Sequence, residues 1–206
     1  FTASITCENA SDLFKTATMA MQMAKKEHKT HLLYTESLGL DTIQKNNLIW
    51  TQKIRDALEK DNIVPYFQLI SDNAAGAVVK YEALMRMIDD GKVVTPFYFL
   101  EIAKQTKLYT SLTKRLMTKV FESLKGKTYE VSINITFEDI CSLEIKEHLS
   151  ALLQEYPIGS QIIFEIVESE GIQNFDEVIE FIAIIRTHGC RIAIDDFGTG
   201  YSNFTY

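Results

Sequence analysis

Glu82, Asn134, Glu165 and the doublet Asp195-Asp196 finish short apolar runs: YEALMR, SINIT, FEIVE and IDDFG. Carboxylates gathered at one mouth repel each other, at a cost that rises as the local dielectric falls, so such a set is tolerable only with cations to neutralise it. Its donors are all hard oxygens, with no Cys or His among them, which favours Mg²⁺ or Mn²⁺ over zinc. The Asp195-Asp196 doublet lets one carboxylate bridge two metals while its neighbour holds the second. A two-metal pair suits in-line attack by water on a phosphodiester, because it stabilises both the attacking and the leaving oxygen.

One Asp or Glu after a strand is ordinarily a helix cap or a solvated loop charge. Convergence of several at matched strand ends is what favours a site. Asn134 alone could equally be a satisfied buried amide. Arg86, four after Glu82, either pairs with that glutamate or meets a substrate phosphate. Gly198 and Gly200 in DFGTGYSN are turn glycines or part of a loop that orders beside the metals. Glu168, three after Glu165, braces that loop or is a plain surface charge. Met85, Met87 and Cys190 read as core filling. His28, His31, His148 and His188 fall on helices or their edges without ligand spacing.

Such residues converge only if their strands end on one face. From residue 63 onward, apolar runs (IVPYFQLI, AVVKYEALMR, YEVSINI, QIIFEIV, RIAID) alternate with helical stretches from Pro96 to about Leu124, near 143–154 and near 175–187. Thr95-Pro96 places a capping hydroxyl before a proline at the first helical position. Asn174 with Glu177 resembles a capping box, and Gly189 ends that helix. The alternation predicts an α/β fold with a parallel sheet buried on both faces. In a parallel (β/α)₈ barrel the reactive groups sit at the C-terminal strand ends, and closure takes about 250 residues. If the sheet closes into a TIM-like barrel of this kind, the chain ends at about two-thirds of its length.

Residues 41–60 predict one connecting helix, with Asp41 as N-cap and Ile43, Ile54 and Leu58 on its apolar side. Before it come a strand-like FTASIT, a helix with Leu13, Ala17, Ala20 and Ala24 in a stripe, and HLLYT as a further strand.

Composition narrows the classes. With 46% hydrophobic and 24% charged residues, the 206-residue chain reads as globular and soluble. A net charge of −7 argues against binding DNA or RNA polymer or an anionic membrane. No apolar run reaches the ~18–20 residues of a membrane span. Cys7, Cys141 and Cys190 are scattered and odd in number, so neither a disulfide framework nor a zinc cluster is expected, and a reducing cytoplasm is the default setting. Phe1 in place of an initiator methionine points to a piece of something longer.

In order and spacing, YEALMR, SINIT, FEIVES and IAIDDFGTGYSN resemble the EAL-domain cyclic di-GMP phosphodiesterases over about residues 63–206, the name matching Glu82-Ala83-Leu84. The resemblance implies a modified TIM barrel that hydrolyses cyclic di-GMP to linear pGpG with two divalent cations. It also implies that Glu82, Asn134, Glu165 and Asp195 hold one metal, and that Asp195 and Asp196 serve the second. Glu168 would steady the DFGTGYSN loop, and Arg86, with Gln68 and Leu84, would meet the substrate. Leu69 stands where the family's YFQPI motif has proline, and Lys104 and Lys107 replace its glutamate and glycine. The family's water-orienting lysine, a further metal glutamate and a late glutamine would follow Tyr206, so the chain as it stands is expected to lack full activity. Family members often pair through the barrel, which implies a homodimer.

Residues 1–34 are similar to the C-terminal end of a GGDEF domain, whose tail reads SIG, ADxALYxAK and GRN. Thr6, Thr18, Gln22, His28 and Thr30 depart from that pattern. The expected organisation is a GGDEF-like remnant over 1–40, a linker helix over 41–62 and an EAL-type portion over 63–206. The GGDEF signature loop is absent, which argues against cyclase activity. An EAL-like receptor that holds the dinucleotide without cleaving it is the alternative to the enzyme.

Overall fold

The computed structural model describes residues 16–18, 20–21, 24, 29–32, 36–72, 77–167 and 175–195. The chain forms two compact units, Phe1–Gln52 and Lys53–Tyr206. In the first unit, Ala17, Ala20 and Ala24 are helical as their stripe predicts, and Ala24 is buried. FTASIT and Leu13 lie outside the described residues. His31 and Leu32 of HLLYT are not in a strand, and the rest of that run is outside the described residues.

Helix α1 (Glu36–Glu59) starts before Asp41, which is therefore an interior residue and not its N-cap. No proline interrupts residues 36–41, and an interior glycine such as Gly39 costs a helix only about 1 kcal/mol. Ile54 and Ala57, in the second unit, are buried.

The second unit is built on one sheet. Its strands are β1 (Ile63–Asp72), β2 (Ala77–Asp89), β3 (Lys92–Val94), β4 (Val131–Ile135), β5 (Ile162–Val167) and β6 (Arg191–Asp195), in the order β1-β2-β4-β5-β6 with β3 on β2. β2, β4, β5 and β6 are parallel neighbours, as the alternating pattern predicts. β1 is antiparallel to β2, which corrects the all-parallel expectation. The reason is chain length: only residues 73–76 join the two strands, whereas a parallel crossover takes a dozen or more. β3 was not foreseen. Its hairpin to β2 turns on Asp90 (φ 47°) and Gly91 (φ 74°), two successive left-handed residues of the kind a tight hairpin selects.

One face of the sheet carries Ala83, Ile133, Ile135, Phe164 and Ile166. It packs under α3 (Tyr109–Leu124), α5 (Leu143–Glu155) and α6 (Phe175–Thr187), which contribute Met117, Val120, Phe121, Leu149 and Phe181. β4 and β5 are buried on both faces apart from half-buried Asn134, whereas Tyr66, Phe67 and Leu69 of β1 and Ile194 of β6 are exposed, so burial on both faces holds for the central strands and not for the outer ones. Met87 and Cys190 fill the core as read; burial pushes the Cys190 thiol up to about 11.

The helical stretch after Pro96 is broken in three: a 3-10 turn (Pro96–Tyr98), α2 (Leu100–Gln105) and α3. Thr95 makes no side-chain cap bond, contrary to expectation, although Pro96 does open the turn. The break between α2 and α3 includes Lys107, whose φ of 60° is costly for a residue with a Cβ. A short α4 (Phe137–Cys141) was also unforeseen. It is fixed by a capping box in which the Thr136 hydroxyl and the Asp139 carboxylate exchange hydrogen bonds with each other's backbone N–H. Buried Asp139 also accepts from the Tyr109 hydroxyl at 2.8 Å. α6 ends as Gly189 predicts, with φ 83° and its N–H donating to Arg186 O. Asn174 lies outside the described residues.

Replacing Lys107 by glycine is expected to raise stability by about 0.5–1 kcal/mol, the left-handed penalty less the entropy cost of glycine. Lys107→Val should lower it. Thermal unfolding of the two variants checks both signs.

His148 on α5 has Nε2 at 2.9 Å from the Thr118 hydroxyl and 3.2 Å from Lys114 O. Burial holds its pKa below the ordinary imidazole value. Its contribution to stability is therefore present above about pH 6.5 and lost as pH falls from there through the folded value. Denaturant titrations at pH 7.5 and 5.5 should show this loss, and a His148→Gln variant should not show that part of it.

Candidate functional site

Alternation along β2 places Lys80, Glu82, Leu84 and Arg86 on the same side of the strand, opposite the helix-covered face. The register carries that side across the sheet. Glu82 pairs with Ser132 of β4, and Asn134, two residues further, pairs with Glu165 of β5. Glu165 in turn pairs with Ala193 of β6, two residues before Asp195. Parallel pairing thus sets three of the predicted ligands on neighbouring strands without any loop having to carry them.

Asn134 Nδ2 donates to Glu82 Oε1 at 2.7 Å. This fixes the glutamate and leaves the amide oxygen as a further hard donor. Glu165 is only 8% exposed, and its Oε1 accepts from Lys80 Nζ at 2.7 Å. An unpaired carboxylate so placed would cost several kcal/mol. Lys80, reaching from β2 across the intervening β4, supplies the compensating charge.

Arg86 does not pair with Glu82. Its guanidinium donates to Met85 O at 2.7 Å and stands 5.9 Å from the centre of the Tyr66 ring. Gln68 is exposed and lies directly across from Glu82 in the β1–β2 register, while Leu84 lies across from Tyr66. Leu69, at the family's proline position, keeps a regular partner in Tyr81; the register shifts only after Ile70. Asp195 ends β6 opposite Val167. Its side chain, together with Glu168, Asp196, Gly198 and Gly200, lies outside the described residues.

Among the described residues, no group of three or more His, Cys, Asp or Glu side chains gathers as a metal site. Glu82, Asn134 and Glu165 are nevertheless a hard-oxygen set, and the ammonium on Glu165 marks where positive charge is needed, so the residues present fit a hard divalent cation. Lys80 was missed by the sequence reading. The signal was a cation two residues before Glu82, on the same side of an otherwise apolar strand.

The family model described as "EAL domain" matches residues 51–206. The chain is 28% identical over 207 residues to "Cyclic di-GMP phosphodiesterase PdeB" of Shewanella oneidensis, covering 96% of this chain and 24% of that protein. It is 32% identical over 161 residues to "Probable cyclic di-GMP phosphodiesterase PdeB" of Escherichia coli, covering 75% of this chain and 31% of that one. The chain thus spans about a quarter to a third of the curated relatives it matches. Among solved structures, the Vibrio cholerae LapD S helix-GGDEF-EAL chain, bound to c-di-GMP, superposes with a TM-score of 0.69 at 18% identity, over 97% of this chain and 49% of that one. At that identity the likeness speaks for the fold alone.

Truncating Asn134 to alanine should free Glu82 and cost about 1 kcal/mol, the scale of one hydrogen bond to a partly solvated charge. Chemical denaturation without added metal would register the loss. Asn134→Asp, which replaces a donor by a second negative charge beside Glu82, should cost at least as much.

Proposed function

This chain belongs to the EAL-domain family, and from that membership we propose that it serves the metal-dependent hydrolysis of cyclic di-GMP to linear pGpG in bacterial second-messenger signalling. One observation carries the reading: Glu82, Asn134 and Glu165 lie on the same side of three adjacent parallel strands, with Asn134 in register with Glu165 and hydrogen-bonded to Glu82. The names of the relatives support the same substrate.

In this reading Glu82, Asn134, Glu165 and Asp195 hold one cation, and Asp195 and Asp196 serve a second, each Mg²⁺ or Mn²⁺. Bound there, the cations would stabilise charge on the attacking and leaving oxygens. The chain's own residues orient the substrate. Arg86 is held by its contacts with Met85 O and the Tyr66 ring, from which its guanidinium can meet a phosphate; Gln68 and Leu84 flank Glu82. Glu168 would steady the DFGTGYSN segment.

The sheet is then the first portion of an EAL-type (β/α)₈ barrel whose opening strand runs antiparallel. Residues 1–40 would be the end of a GGDEF-like domain and 41–62 a linker helix; the family match from residue 51 and the compact unit from Lys53 support placing the last turns of that helix with the EAL portion. A homodimer formed through the EAL domain, in the cytoplasm, completes the proposal. Among the described residues no helix is long and apolar enough to cross a membrane. The second reading, a receptor that binds the dinucleotide without cleaving it, draws on Lys80, which neutralises Glu165 with no metal required.

Cyclic di-GMP hydrolysis by the intact parent protein with Mg²⁺ or Mn²⁺, beside a Glu82→Ala variant, separates the two. Formation of pGpG, reduced at least about a hundredfold in the variant, is the expected result for loss of a ligand to a catalytic metal. Dinucleotide binding without turnover would leave the receptor.

A further inference from the structure

We propose that Lys80 is a built-in counter-ion for Glu165 that a divalent cation must displace in order to bind. The inference rests on the metal-site reading above and adds to it a residue outside the ligand set.

The ammonium holds Glu165 Oε1 at 2.7 Å, and the pair is largely withdrawn from solvent, with side-chain exposures of 23% for Lys80 and 11% for Glu165. A metal ligated by that carboxylate would lie a few ångströms from a second positive charge, in surroundings that screen poorly. The two cations therefore compete for one carboxylate. Lysine suits the exchange because its charge is compact and sits on a flexible four-carbon stem, which can swing away without moving the strand.

The path across the sheet is also open. β4, between the two partners, carries Ser132 on this side, a small and fully buried residue whose hydroxyl turns to Tyr81 O at 3.4 Å. Glu82 is engaged by Asn134, so Lys80 answers Glu165 in particular. Its presence has two consequences of opposite sign. Without divalent cations Lys80 stabilises the fold, by sparing Glu165 an uncompensated burial. With them it weakens their binding, so the site loads only when the free cation concentration is high enough to release the lysine.

Calorimetric titration of the full chain with Mn²⁺ alone tests this, comparing the unaltered protein with Lys80→Met and Glu165→Gln, alongside thermal unfolding in chelator. The expected result is about tenfold tighter Mn²⁺ binding in Lys80→Met, the scale of one charge-assisted hydrogen bond released, together with a lower unfolding temperature in chelator and a larger rise on adding Mn²⁺. Glu165→Gln should weaken binding. Equal affinity in the unaltered protein and Lys80→Met, with loss in Glu165→Gln, would overturn the role of Lys80 and leave the metal site standing. Absence of Mn²⁺ binding in all three would overturn both. If Lys80→Met does not fold, Lys80→Gln, which keeps a polar side chain without the charge, gives the same comparison.

Discussion

A carboxylate inside a sheet must have its charge answered, and Glu165 is where this molecule meets that requirement. It sits at 8% exposure on β5, flanked by β4 and β6. Water cannot neutralise it there, so another part of the protein or a bound cation must. Lys80 does so from two strands away, and the Asn134 amide holds Glu82 nearby. The polar side of the sheet is organised around those two contacts.

The opposite side makes this arrangement affordable in free energy. Ile133, Ile135, Phe164 and Ile166 bury themselves under α3, α5 and α6, forming the main apolar cluster of the second unit. Because side chains alternate along each strand, the same strands that seat the helices present Ser132, Asn134 and Glu165 to the other side. Packing and chemistry are thus separated by one peptide unit. A one-residue slip in register would exchange them, which is why the apolar face specifies the site as firmly as the site residues do.

Much of this was legible in the sequence. The runs around Ile133, Phe164 and Ile192 read as strands, α6 was bounded by its apolar period and Gly189, and the polar residues set into the apolar runs named the candidate ligands; Glu82, expected to finish its strand, is instead interior to β2, which runs on to Asp89. The misses have local causes. β1 turned antiparallel because its link to β2 is too short for a crossover. β3 and α4 are too brief to show a period; their signals lay in Asp90-Gly91 and in the Thr136–Asp139 capping box. Lys107 broke a helix that its neighbours favour, by adopting a left-handed conformation that no lysine announces.

What the sequence determined by itself is everything carried by period and spacing: the strand–helix alternation, the apolar face, and the oxygen-bearing residue types set on the polar side of the strands. Those follow from local backbone geometry, which repeats every two or every 3.6 residues and so leaves a trace along the chain. Only the tertiary structure decided who partners whom. Asn134 with Glu82 and Lys80 with Glu165 are separated by 52 and 85 residues in the chain. No periodicity spans such distances, and the pairings exist because strand order and register bring the side chains to one side of one sheet.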